Sequence, residues 1–135
     1  MVEASKLEKP TKPGVFMLFL PEGELHEIGL LFANYLIRAK GYKTIYLGQS
    51  VPISDVEKVF HTINPEYLFT IITSSPNNSK LEKLIGILDK RFKDAKVLLA
   101  GNQILSQSVL LPKSIHVVNH FSELDKVLEK TEAAS

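Results

Sequence analysis

An α/β fold, with a five-stranded parallel sheet and helices on both faces, is predicted by three observations. Short apolar runs alternate with amphipathic ones five times along the chain. Alternating strands and helices build parallel sheets through right-handed crossovers. Two of the apolar runs, Val15-Phe16-Met17-Leu18-Phe19-Leu20 and Tyr67-Leu68-Phe69-Thr70-Ile71-Ile72-Thr73, are nearly continuous, as strands buried on both faces are. And 135 residues, 44% of them hydrophobic, suit one domain with one core. The arrangement expected is Rossmann-like, of the flavodoxin-like kind.

Residues 1–13 are polar, with Pro10 and Pro13 close together, and read as a flexible lead-in or linker remnant. The folded domain is expected over 14–132, and 133–135 as a tail. Gly14 to Leu20 is the first strand. From Ile28, apolar residues at Leu31, Phe32, Tyr35, Leu36 and Ala39 keep helical spacing and predict one buried helical face. Gly41 suits the stop after Lys40. Lys43 to Leu47 is a short second strand that ends at Gly48. Ser54 with Glu57 has the form of a capping box and predicts a helix over about 55–61. Tyr67 to Thr73 is the strongest strand signal, β-branched and aromatic. Asn78 or Ser79 can cap a helix with a core face of Leu81, Leu84, Ile85 and Leu88. Lys96 to Ala100 is the fourth strand and Ile115 to Val118 the fifth. Ile104 to Leu111 is a weaker helix or loop, and Ser122 with Asp125 opens a last helix through Leu128.

Composition narrows the uses of such a fold. The net charge of +1 argues against nucleic-acid binding through this piece's own electrostatics. The absence of cysteine excludes disulfides, thiolate metal sites and cysteine nucleophiles. No apolar run reaches the roughly 18 residues of a membrane span, and no signal peptide is visible, so a cytoplasmic protein without a membrane partner is expected.

All five strand ends should open on one rim. It carries Glu24 and His26 after the first strand, Gln49 and Ser50 after the second, and Ser74 to Asn78 after the third. Gly101 and Asn102 follow the fourth strand, and Asn119 and His120 the fifth. Ligands bind at that edge of open α/β sheets. Pro21-Glu22-Gly23-Glu24 is not the glycine-rich loop that a dinucleotide needs. Thr73-Ser74 replaces the aspartate of a phosphate-accepting domain, and no Gly-x-Ser-x-Gly elbow exists. His26 has two readings. It is a helix N-terminal residue paired with Glu24 or Glu27, or it is a metal ligand or base whose second nitrogen a carboxylate orients. With no cysteine and no second histidine nearby, it cannot build a closed metal site. A single imidazole suits an axial position on a metal otherwise filled by a macrocycle. His61 reads as a helix C-terminal residue and His116 as an alternating strand residue.

Glu24-Leu25-His26-Glu27-Ile28-Gly29, then Thr70-Ile71-Ile72, then Ala100-Gly101 resemble, in order, the Asp-x-His-x-x-Gly, Ser-x-Leu and Gly-Gly of cobalamin-binding domains. More narrowly, Glu22 to Leu31 and Tyr46 to Pro52 resemble the C-terminal sensory domain of MerR-type transcription regulators. The resemblance implies cobalamin (adenosylcobalamin or methylcobalamin) as cofactor, with its lower base displaced. His26 would be the lower axial cobalt ligand, held by Glu24. Leu25, Glu27 and Ile28 would lie against the cofactor, and Gly29 would let the first helix start close to its nucleotide tail. Thr70, Ile72, Ser74 and Ser75 would line the tail, and Ala100 and Gly101 would leave room for its base. The sequence departs from the pattern at Glu24 for Asp, Thr70 for Ser and Ala100 for Gly. A non-enzymatic sensory domain is expected, with self-association, and with DNA contacted only through a domain absent from this chain. The second reading is the same fold without cofactor, as an oligomerisation or interaction module. The third is a subunit that presents cobalamin to a methyltransferase or mutase.

Overall fold

The structure is a computed structural model that describes residues 13–25, 27–72, 78–101, 112–118, 124 and 126, with the side chains of 78–81 outside that description. Five strands, β1 (Val15–Pro21), β2 (Lys43–Val51), β3 (Tyr67–Ile71), β4 (Lys96–Ala100) and β5 (Ile115–Val118), form one sheet in the order β2-β1-β3-β4-β5. Every pairing is parallel. Among the described residues three helices, α1 (Glu27–Ala39), α2 (Ile53–Ile63) and α3 (Asn78–Arg91), connect β1 to β2, β2 to β3 and β3 to β4. This is the flavodoxin-like order, and its switch point lies between β1 and β3.

The pleat sends alternate residues to opposite faces, and the core divides accordingly. On one face Phe16, Leu18 and Leu20 of β1 meet Leu30, Ala33 and Ile37 of α1, together with Leu124. On the other, Met17, Phe19, Leu68 and Leu99 meet Val56 and Phe60 of α2 and Ile85 and Leu88 of α3. The expected last helix falls outside the described residues except at Leu124 and Lys126, both helical. The weaker helix or loop over 104–111 and the ends of the chain lie outside them too.

Three expectations need correction. The inward face of α1 is Leu30, Ala33 and Ile37, not the face through Ile28 and Phe32, which are exposed. Both faces are apolar, so periodicity alone could not choose between them. The Ser54–Glu57 capping box does not form. Helix α2 starts two residues before Asp55, at Ile53, with Pro52 as N-cap and no side-chain cap, because the fixed φ of proline already suits a helix entry. And β2 continues to Val51 through two register irregularities against β1, with Gly48 and Ser50 at positive φ. The stop at Gly41 forms as expected. Its φ is +100, and the bonds from Gly41 N–H to Arg38 O and from Tyr42 N–H to Ile37 O make a Schellman motif.

Candidate functional site

The loop after β1 is built as a tight turn. The Glu24 N–H donates to Pro21 O at 3.0 Å, and Gly23 between them has φ +90, the third position of a type II turn. The Gly23 N–H also points at Ser50 Oγ, 3.3 Å away. Ser50 itself sits in the left-handed region at φ +53, a conformation that costs a non-glycine residue energy. The end of β2 is thus tied to the loop after β1 by a strained residue.

Glu24 and Thr70 are the two buried polar side chains among the described residues, at 5% and 0% exposure. Leu25 and Ile28, on either side of the start of α1, are the opposite case, at 63% and 84%. The rim therefore pairs an exposed apolar step with a buried carboxylate. Glu27 is held from below, where the Tyr46 hydroxyl donates to its Oε2 at 2.9 Å. Burial first, and then the hydrogen bond and the charge of Glu27, push the Tyr46 hydroxyl above its ordinary range, so it remains a donor. Sequence reasoning passed over Tyr46 and over Ser50 as a clamp. Only pairing β2 beside β1 shows that they reach the loop.

The end of β3 holds the other notable group. Thr70 lies opposite Phe19 of β1 and Leu99 of β4, and its Oγ1 is buried with no hydrogen-bond partner among the described residues. Such atoms are uncommon and call for a missing partner. Replacing Thr70 with Val removes the stranded hydroxyl at nearly constant shape. It should stabilise the cofactor-free domain by about 1 kcal/mol in urea unfolding, and unchanged or lower stability would show that the hydroxyl is satisfied in solution.

The glycines of the site have reasons the sequence did not disclose. A Cβ at Gly101 would stand 1.9 Å from Ile72 O, because Ile72 N–H bonds Ala100 O at 2.8 Å and draws the two strand ends together. That position is glycine for the backbone of Ile72, rather than only for a ligand's base. A Cβ at Gly29 would meet Ile71 Cδ1 at 3.3 Å, so the close approach there is of α1 to β3. The structure brings Glu24, Leu25, Glu27, Ile28, Gly29, Thr70, Ile72, Ala100 and Gly101 to the carboxyl edge of the sheet. His26, Ser74 and Ser75 lie outside the described residues, as do Asn102, Asn119 and His120.

Among the described residues no three His, Asp or Glu side chains gather as a metal site, and no helix is long and apolar enough to cross a membrane. A cavity of about 590 Å³ lies at the opposite, amino edge, against Tyr42, Tyr67 and Lys96, away from the switch point.

The strand order and pairings define an α/β domain of flavodoxin-like topology, with the ends of β1, β3 and β4 as its candidate ligand edge. No protein-family model matches the chain, and no curated protein matches it. Solved structures do. A novel cobalamin-binding protein from Desulfitobacterium hafniense DCB-2 is similar at 24% identity and TM-score 0.59, over 71% of this chain and 49% of that one. The methanol:cobalamin methyltransferase complex MtaBC from Methanosarcina barkeri is similar at 18% identity and TM-score 0.74, over 98% and 52%. The monomethylamine corrinoid protein of Methanosarcina barkeri is similar at 19% identity and TM-score 0.63, over 87% and 57%. At these identities the likeness is one of fold. The chain spans about half the length of the structures it matches.

Proposed function

We propose that this chain is a cobalamin-binding domain that acts as the sensory part of a MerR-type transcription regulator. The observation that carries the reading is the fully buried hydroxyl of Thr70, without a hydrogen-bond partner among the described residues, on the same sheet edge as the exposed Leu25 and Ile28. That edge offers an apolar step for a macrocycle and a stranded polar group for its tail, so the residues present fit the cofactor.

In this reading His26 would hold the cobalt of the cofactor, and Glu24 would accept a hydrogen bond from its other nitrogen. A ligating imidazole is ordinarily oriented in this way. The exposed Leu25 and Ile28 would lie against the macrocycle and keep water from it. Thr70 and Ser75 would offer hydroxyls to the nucleotide tail, Ile72 and Ser74 would line it, and Ala100 would present only a methyl group to it. Bound cobalamin supplies a cobalt centre whose upper ligand can be exchanged or lost. The chain itself binds and positions; it performs no reaction unaided. DNA is contacted through a domain outside this chain.

The test is a visible spectrum. The protein is mixed with adenosylcobalamin or methylcobalamin and desalted. Retained pigment is expected, with a spectrum altered by His26→Ala. A colourless wild-type protein would overturn the reading in favour of a cofactor-free interaction module. A second cobalamin-binding reading, a carrier that presents the cofactor to a methyltransferase, is favoured by the likeness to the two Methanosarcina barkeri structures. Co-elution with a methyltransferase subunit would select it.

A further inference from the structure

The amino edge of the sheet, opposite the candidate site, has its own opening. The loop from α3 to β4 brings Lys93, Asp94 and Ala95 there, the approach to β5 brings Lys113, and Pro13 and Gly14 lead into β1. These residues surround the cavity of about 590 Å³. Small-molecule sites are ordinarily about 300–1,000 Å³ and mostly apolar, with a few polar groups that fix orientation.

The floor of this cavity is aromatic and already packed. Tyr42 and Tyr67 line it, and Phe16 holds both, the first edge-on at 5.2 Å and the second stacked at 4.2 Å. The buried Ala95 continues the apolar surface. A wall whose rings are fixed before a ligand arrives loses little further freedom on binding.

The charges around that floor are unequal. Lys93, Lys96 and Lys113 line the cavity with two carboxylates, Glu66 and Asp94. Glu66 is occupied, since its Oε2 accepts the Val15 N–H. Lys96 and His116 take part in interactions within the fold. The cations left for a ligand are Lys93 and Lys113, both exposed and neither ion-paired among the described residues. We propose that the cavity binds an aromatic carboxylate, its rings against Tyr42, Tyr67 and Ala95 and its carboxylate reaching Lys93 and Lys113. Charge-assisted hydrogen bonds favour an anion there over a neutral molecule of the same shape. The inference concerns the amino edge alone and does not rest on cofactor binding.

Titration of the isotope-labelled chain, without cobalamin, with naphthoate tests it by nuclear magnetic resonance. Amide shifts are expected at Lys93 to Lys96 and at Ser114, and not at Gly23 or Gly29 of the carboxyl rim, with a Kd of about 1 mM or tighter. The uncharged naphthamide should bind at least about fivefold more weakly. Lys93→Glu with Lys113→Glu should weaken naphthoate at least about tenfold, with the circular dichroism retained, since both side chains are exposed. If that double variant folds poorly, Lys93→Gln and Lys113→Gln should each weaken naphthoate about threefold. Absence of shifts at about 5 mM, shifts confined to the carboxyl rim, equal binding of naphthamide, or undiminished binding in the folded lysine variants would overturn the proposal.

Discussion

Gly101→Ala should destabilise the domain by on the order of 3 kcal/mol or more, a loss read as a lowered urea midpoint at constant slope. Two costs combine. Gly101 has φ +145, a conformation that L side chains rarely adopt. The new methyl carbon would also stand 1.9 Å from the Ile72 carbonyl oxygen. The obstacle is backbone, so no rotamer change relieves it. Relief must separate the ends of β3 and β4 and lengthen the Ile72–Ala100 hydrogen bond. A loss below about 1 kcal/mol would mean that the strand ends yield freely. The variant is therefore a poor probe of the cofactor, because any pigment it loses is lost with the fold. Ala100, half-exposed on the same rim, is the better place to narrow the slot.

Phe16→Ala should cost about 3–5 kcal/mol, comparable to the whole stability of many small domains. Phe16 is fully buried on β1. Its ring stacks on Tyr67 at 4.2 Å and 10° and meets Tyr42 edge-on at 5.2 Å and 74°. Truncation leaves a cavity between two rings that are held by the strands and the end of α1 and cannot close it. Because Phe16 lies at the amino end of β1, any cobalamin bound as proposed should be retained unchanged per folded molecule. Urea unfolding with a loss under about 1 kcal/mol would show that the tyrosines collapse into the gap.

The strands were legible because burial on both faces writes itself as continuous apolar sequence. Lys96 to Ala100 and Ile115 to Val118 have the expected bounds, and β1 is displaced by one residue. The phase of α1 was not legible, since both its faces are apolar and only the sheet decides which one turns inward. The cap of α2 was misjudged because Pro52 does by ring geometry what Ser54 would have done by hydrogen bonding. At the sheet's carboxyl edge, strand order placed the described residues Glu24, Ser50 and Gly101 at strand ends, while His26, Ser74, Ser75, Asn102, Asn119 and His120 lie outside the described residues. Not legible was the tertiary detail: Tyr46 reaching Glu27 across from β2, Ser50 beside Gly23, and the Ile72 backbone that makes Gly101 obligatory. Each depends on a neighbour distant in sequence.

The all-parallel order with β1 near the centre also bears on how the chain acquires its shape. No strand has a hairpin partner, since parallel neighbours need long crossovers. Val15 must find Lys43, and Phe16 must find Tyr67. On a ribosome, Val15 to Leu20 emerges well before β3 exists to receive it, and sheets assembled from such distant pairings form slowly. During that delay an uncharged, β-prone hexapeptide stands exposed, the kind of segment that seeds cross-β aggregation. Pro13 before it and Pro21 after it cannot donate to an intermolecular ladder. The two prolines thus stand where gatekeepers stand, on either side of an aggregation-prone segment of the nascent chain.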